Sequence, residues 1–360
     1  MKLLYVIEHI STAGGLERIL IDKMNALACE QGYDVQLLTV WHEDSPPAFP
    51  LHQNIKHTCL GITSPQGHLQ MLCTMPRVIR AFNRIVRLIA PDITIHFRAI
   101  GAMLISFSSW KGYSIFEAHL ARSHSNHRWL YPLMERKADA IVCLTHADAQ
   151  NYPHARRIEV IPNFTTLSVA HKPDYSRHTC VFLGRLCPEK NPLRLLRLWY
   201  RIHQLHPDWQ LHIHGTGPLE HEVKNEILQL GLTESVHMLG HTSDVQQAYL
   251  SGSILLLTSN AEGLPMVLIE AQESALPVVS IDCPYGPSDI IQNGENGYLI
   301  PFTDDDAFVS AVDNLINSPA LREQMGHNAK LHSSKYNKAT IIRRWKDFFS
   351  SNENTTRRRI

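Results

Sequence analysis

S-N-A-E-G-L-P-M-V-L-I-E-A-Q occupies residues 259–272. It follows Ile254-Leu255-Leu256-Leu257, an apolar run too short for a helix, which reads as a buried strand. Ser259-Asn260 and Gly263 mark a turn. Pro265 suits the first position of a helix, where its missing N–H costs nothing. Val267, Leu268 and Ala271 give that helix an inward face. The unit is therefore strand, loop, helix, with Glu262 in the loop and Glu270 in the helix. Free amides and the dipole at a helix start favour phosphate. One carboxylate precedes that anion site and the other follows it.

Two further stretches give the pair its meaning. V-F-L-G-R-L-C-P-E-K-N-P (181–192) is a strand running into a loop with Arg185 and Lys190. L-H-I-H-G-T-G-P-L (211–219) is a strand running into a glycine loop. Each pair of charges, taken alone, reads as solvated surface. Together they occupy three strand ends, and a doubly wound sheet holds its ligands at the carboxyl ends of its strands.

In this order and spacing the segments resemble the retaining glycosyltransferases of family 4. The resemblance covers nearly the whole chain: G-G-L-E at 14–17, V-I-P-N at 160–163, G-R-L-C-P-E-K-N at 184–191, G-T-G-P at 215–218, the two glutamates, and G-P-S-D-I-I-Q-N-G-E-N-G-Y-L-I-P at 286–301. It implies an α/β protein of GT-B fold, two Rossmann-like doubly wound parallel-sheet domains facing across a cleft. Residues 1–165 would form the acceptor-side domain and 166–335 the nucleotide-sugar domain. Residues 336–360 would be a helix crossing back to the first domain, with a basic tail. The implied reaction moves a hexose or N-acetylhexosamine from a nucleoside diphosphate sugar, with UDP the expected nucleotide. The acceptor would be a hydroxyl of a glycan or lipid-linked molecule in surface polysaccharide synthesis, and the anomeric configuration would be retained.

By the same resemblance, Arg185, Lys190, the backbone at Leu264 and the loop at Gly15 hold the donor diphosphate. Glu270 binds the ribose, Gly215 and Gly217 let the nucleotide lie close to the backbone, and Glu262 holds and orients the donor sugar. His119, in E-A-H after a strand, is the first-domain catalytic participant. No dedicated carboxylate nucleophile of the glycosidase kind is evident; the leaving phosphate would help deprotonate the acceptor. No metal and no cofactor beyond the nucleotide-sugar co-substrate is implied. Two other classes remain open. An epimerase-like enzyme on nucleotide sugars would release a changed sugar without an acceptor, and a catalytically silent nucleotide-sugar-binding protein would turn nothing over.

Composition is consistent with this. The 360 residues suffice for two domains. Lys plus Arg equals Asp plus Glu at 34 each, so net charge points to no nucleic-acid partner, although the first 165 residues are mildly basic. Seven cysteines, an odd number without C-x-x-C, argue against a disulfide framework and for a reducing compartment. The opening M-K-L-L-Y-V-I-E-H is too short an apolar run for a signal peptide, and no run reaches the roughly 18 apolar residues of a membrane span. The expectation is a cytoplasmic protein, peripheral at the inner face of the membrane. His124 and His127 share a helix face without an evident partner for a metal site, and Asp304-Asp305-Asp306 reads as an N-cap with first-turn acids.

Along the chain, strands are expected at 2–7, 35–41, 55–60, 92–97, 113–117, 139–144 and 157–161, and a helix opens at Leu16. Residues 162–178 read as a linker, after which the alternation repeats. A helix at 76–90, P-R-V-I-R-A-F-N-R-I-V-R-L-I-A, gathers Arg77, Arg80, Arg84 and Arg87 on one arc, opposite an apolar face. That arc is expected to meet anionic headgroups, helped by Arg122 and Arg128. Residues 355–360 should fray.

Overall fold

The apolar runs become parallel strands covered on both faces, as near-continuous hydrophobic strands must be. The structure, a computed structural model, describes all residues except 13, 120, 121, 123–127, 170 and 358–360. His124 and His127 thus lie outside the described residues. The chain divides into two compact units, Met1–Asn163 with Ile341–Ile360, and Phe164–Thr340.

In the first unit the strands are β1 (Lys2–Ile7), β2 (Asp34–Trp41), β3 (Lys56–Ile62), β4 (Ile93–Phe97), β5 (Tyr113–Ala118), β6 (Ala140–Cys143) and β7 (Ile158–Val160). All pair in parallel, in the order β3-β2-β1-β4-β5-β6-β7. β4 is buried along its whole length, whereas β3 and β7, at the edges, are largely not. The helix Lys338–Arg357 contributes Ile341, Ile342, Trp345, Phe348 and Phe349 to this unit's core. Each such side chain is worth about 2 kcal/mol of burial. Tyr33 meets Phe349 edge-on at 5.7 Å, and Tyr113 Oη donates to Asn352 Oδ1 at 2.8 Å. The helix runs to Arg357, further than the frayed tail expected from 355.

The second unit has β8 (Thr179–Leu183), β9 (Gln210–His214), β10 (Val236–Gly240), β11 (Ile254–Leu257), β12 (Val278–Asp282) and β13 (Gly297–Pro301), in the order β10-β9-β8-β11-β12-β13. Its core is centred on Phe182, Trp199, Leu211, Ile213, Leu256 and Phe308.

Three expectations need correction. Residues 164–178 belong to the second unit instead of forming a linker. Tyr175 Oη donates to the Ala275 carbonyl at 2.8 Å, the buried guanidinium of Arg322 donates to the Tyr175 carbonyl, and Thr165 N donates to the Tyr336 carbonyl at 3.1 Å. The unit boundaries accordingly fall at 163/164 and 340/341. The helix expected from Pro76 runs His68–Ile89 with Pro76 inside it; burial of Met75, Val78, Phe82 and Val86 holds it across the proline. The helix expected to include Pro265 is Met266–Glu273, with Pro265 as its N-cap residue, a one-residue difference of the kind helix ends allow. Asp304 does cap its helix, accepting from Ala307 N at 2.8 Å.

Candidate active site

In a doubly wound sheet the crevice opens where strand order reverses. That point lies between β8 and β11 in the second unit and between β1 and β4 in the first.

The loops after β8 and β11 are bound to each other. Asn260 N donates to the Glu189 carbonyl at 2.7 Å and Asn260 Nδ2 to the Pro188 carbonyl at 2.8 Å. Thr258 Oγ1 donates to the Asn191 carbonyl at 3.1 Å. Asn191, in the left-handed region at φ 48°, caps the helix Pro192–Leu205 through its side chain. This mutual bracing brings Lys190 Nζ to 2.6 Å from Glu262 Oε1. Ser259 Oγ donates to the same oxygen at 2.6 Å. The Glu262 side chain is only 8% exposed, that of Lys190 22%. Arg185, on the same loop, is exposed. Nearby, burial and then the Glu262 carboxylate push the Cys283 thiol up to about 12, so it supplies no thiolate near neutrality.

Leu264 is buried, and the helix after Pro265 starts without a side-chain cap. Gly286 holds φ 100° against it; a methyl group there would lie 2.4 Å from Pro265 Cδ. On the same helix, Glu270 Oε2 accepts from Tyr249 Oη at 2.8 Å. Burial first and Glu270 second raise the Tyr249 pKa well above its usual value, so the phenol stays a donor.

The glycine loop after β9 packs against the loop after β8. Gly184 N donates to the His214 carbonyl and Leu186 N to the Thr216 carbonyl, both at 3.0 Å. A Cβ on Gly215, at φ 142°, would lie 1.9 Å from the Gly184 oxygen, and one on Gly217 would lie 2.3 Å from the Leu186 oxygen. The Cβ side of both glycines therefore lies against the backbone that carries Arg185.

In the first unit, Glu43 accepts from Ile10 N at 3.1 Å and Ser11 N at 2.8 Å, fixing the loop after β1. Gly15 opens the helix Gly15–Glu30, one residue before the expected Leu16, and a Cβ on it would meet nothing within 4 Å. Glu17, on that helix, pairs with Arg98 at 2.8 Å; Arg98 follows β4 with φ 54°. His119 follows β5 with Nε2 2.8 Å from Glu117 Oε1. Both Glu117 oxygens also accept from the Lys23 ammonium, which lies 4.3 Å from the Trp345 ring centroid. Burial alone would raise the Glu117 pKa; Lys23 and then His119 outweigh it and hold the carboxyl below its usual range. Burial lowers Lys23 against the pull of Glu117.

Sequence reasoning missed Lys23, Glu117 and Tyr249. The only available signals were a lysine within a helix's apolar spacing and the glutamate of E-A-H. Arg122, expected on a membrane-facing patch, is instead turned inward. It pairs with buried Glu135 at 2.8 Å and lies over the Tyr131 and Tyr152 rings. Among the described residues, no three His, Cys, Asp or Glu side chains gather as metal ligands would.

Known proteins share this architecture and sequence. The family model described as glycosyl transferases group 1 matches residues 164–332. An uncharacterized glycosyltransferase of Haemophilus influenzae is 30% identical over 356 residues, 96% of this chain and 99% of that one. The amylovoran biosynthesis glycosyltransferase AmsD of Erwinia amylovora is 27% identical, covering 97% of this chain and 99% of its own. Among solved structures, an S. aureus TarM mutant in complex with Fondaparinux, alpha-GlcNAc-glycerol and UDP superposes with a TM-score of 0.78 at 14% identity, covering 97% of this chain and 99% of that one. That likeness is one of fold.

Proposed function

Because the chain belongs to the group 1 glycosyl transferases, we propose that it transfers a hexose or N-acetylhexosamine from a UDP-sugar to a hydroxyl of a glycan or lipid-linked acceptor in surface polysaccharide assembly, with retention. The observation that carries this reading is the Lys190–Glu262 contact at the switch point of the second unit. It sets a cation and a carboxylate side by side, suited to a leaving diphosphate and to sugar hydroxyls respectively. As the sugar–phosphate bond breaks, Lys190 and exposed Arg185 meet the growing charge. The uncapped amides after Leu264 add to them. Glu270, held by Tyr249, takes the ribose, and Gly15 leaves its amide open to approach. His119 serves the first unit's side of the reaction. The naming of AmsD for amylovoran biosynthesis and the UDP bound to TarM support the substrate class. The test is nucleotide release by the purified protein across UDP- and GDP-sugars, with the product anomer read by NMR. Release from a UDP-hexose or UDP-N-acetylhexosamine with retention is expected. No release from any donor, or an inverted product, overturns the reading.

Diphosphate neutralisation by Arg185, Lys190 and amides requires no divalent ion. The initial rate with excess chelator should equal that without it. A complete loss restored by magnesium or manganese would refute this assignment.

The proposal includes attachment to an anionic membrane through the helix His68–Ile89, whose sequence holds no acidic residue. Arg77, Arg80, Arg84 and Arg87 are exposed, with Leu72 and Leu88 exposed beside them. The helix Pro192–Leu205 makes a useful contrast, because its Arg194, Arg197 and Arg201 are each matched by a carboxylate. Among the described residues, none of the four on the first helix is. Each charge near an anionic surface is worth about 1 kcal/mol, screened by salt. The wild type should co-sediment with phosphatidylglycerol vesicles at low salt and not with neutral ones, and the Arg80→Glu, Arg84→Glu double variant should stay in solution. Equal sedimentation of both proteins removes the helix from membrane attachment.

A further inference from the structure

A buried ion pair stabilises a fold little better than packed apolar side chains of the same volume. Lys23 and Glu117 are nonetheless sealed beneath Tyr5, Phe97 and Trp345, with side chains 3% and 1% exposed. The chain of contacts ends on His119, whose side chain is 8% exposed against 1% for Glu117. We propose that Glu117 is a positioning residue: it fixes His119 as the Nε2–H tautomer and leaves Nδ1, with its lone pair, to accept a hydrogen bond from a substrate hydroxyl. Lys23 keeps Glu117 anionic for this purpose.

The tautomer follows from the geometry. An ionised carboxylate can only accept, so at 2.8 Å the proton between Glu117 Oε1 and His119 Nε2 must be carried by the imidazole. In a neutral ring the lone pair then resides on Nδ1, which has no hydrogen-bond partner among the described residues. Both Glu117 oxygens are anchored by Lys23 Nζ, and Lys23 is held in turn by the ring of Trp345. The ring of His119 also packs on Phe97, centroids 5.7 Å apart, so the imidazole is held by a carboxylate on its edge and an aromatic on its face. Such an orienting partner sets which nitrogen does the chemistry.

This inference rests on the glycosyl-transfer reading for its effect on rate, but not for its direct readout. The direct readout is the His119 tautomer in the full-length wild type, from nitrogen-15 spectra recorded at about pH 8.5, above the ordinary imidazole range. An Nε2–H ring is expected, and an Nδ1–H ring overturns the proposal; neither result depends on turnover. The second measurement is Glu117→Gln, whose amide can donate to Nε2 and so favours the other tautomer. Its kcat should fall at least about tenfold, as for other wrong-tautomer variants, with donor KM within about threefold. In a His119→Ala background the same substitution should change kcat less than about twofold, because residues acting as a unit are not additive. A structural role alone would lower the melting temperature in both backgrounds and leave kcat unchanged, which would overturn the proposal, as would losses that multiply. If Glu117→Gln does not fold, the wild-type tautomer still decides. If the wild type turns over no donor, the transfer reading fails while the tautomer can still be read.

Discussion

Glu262→Gln is expected to lower glycosyl transfer by at least about a hundredfold, or roughly 3 kcal/mol of transition-state stabilisation, while the protein stays folded. The substitution keeps the side chain's shape and its contact with Ser259 but removes the charge that faces Lys190 at 2.6 Å. On the proposed roles two losses coincide: the reacting sugar loses an anionic acceptor, and Lys190 loses the group that aims it. Lys190 is partly exposed, so the released ammonium is solvated and the stability cost stays small. The measurement is kcat/KM for donor and acceptor, beside a thermal melt. Wild-type turnover in a folded variant removes Glu262 from the site.

Gly215→Ala should have the largest effect on the fold. The added methyl would lie 1.9 Å from the Gly184 oxygen, at a φ of 142° that side chains with a Cβ rarely adopt. The obstacle is backbone rather than a flexible side chain, so the end of β8 must move and carry Arg185 and Lys190 with it. Destabilisation of about 4 kcal/mol or more, a fall of roughly 10 °C in melting temperature, is expected. Gly15→Ala is the control. Its new methyl meets nothing within 4 Å, so the melt should not change. Equal melts for wild type and Gly215→Ala would show that the loop contact gives way easily.

Much of the fold was legible in the chain because parallel strands buried on both faces leave continuous apolar runs. Runs such as Ile254-Leu255-Leu256-Leu257 and residues 2–7 became strands where the pattern put them. The loops at 184–191 and 259–265 were equally legible, since turn residues and charges at strand ends are local features. Where local pattern and tertiary packing disagreed, packing decided. Pro76 reads as a helix start, but Met75, Val78 and Phe82 bury the helix through it. Residues 164–178 are polar enough to read as a linker, yet Tyr175 and its carbonyl are taken up by Ala275 and Arg322. The two loop glycines read as room for a ligand, and one side of each lies against neighbouring backbone, a contact no local pattern announces. The partners of the candidate site were the least visible. Lys23 meets Glu117 across 94 residues, Lys190 meets Glu262 across 72 and Tyr249 meets Glu270 across 21. Periodicity and capping operate over one or two helical turns, so local pattern was enough to specify the elements and the charges at their ends. Which charges face each other was decided only when strand order brought β1, β4 and β5 together, and β8 beside β11.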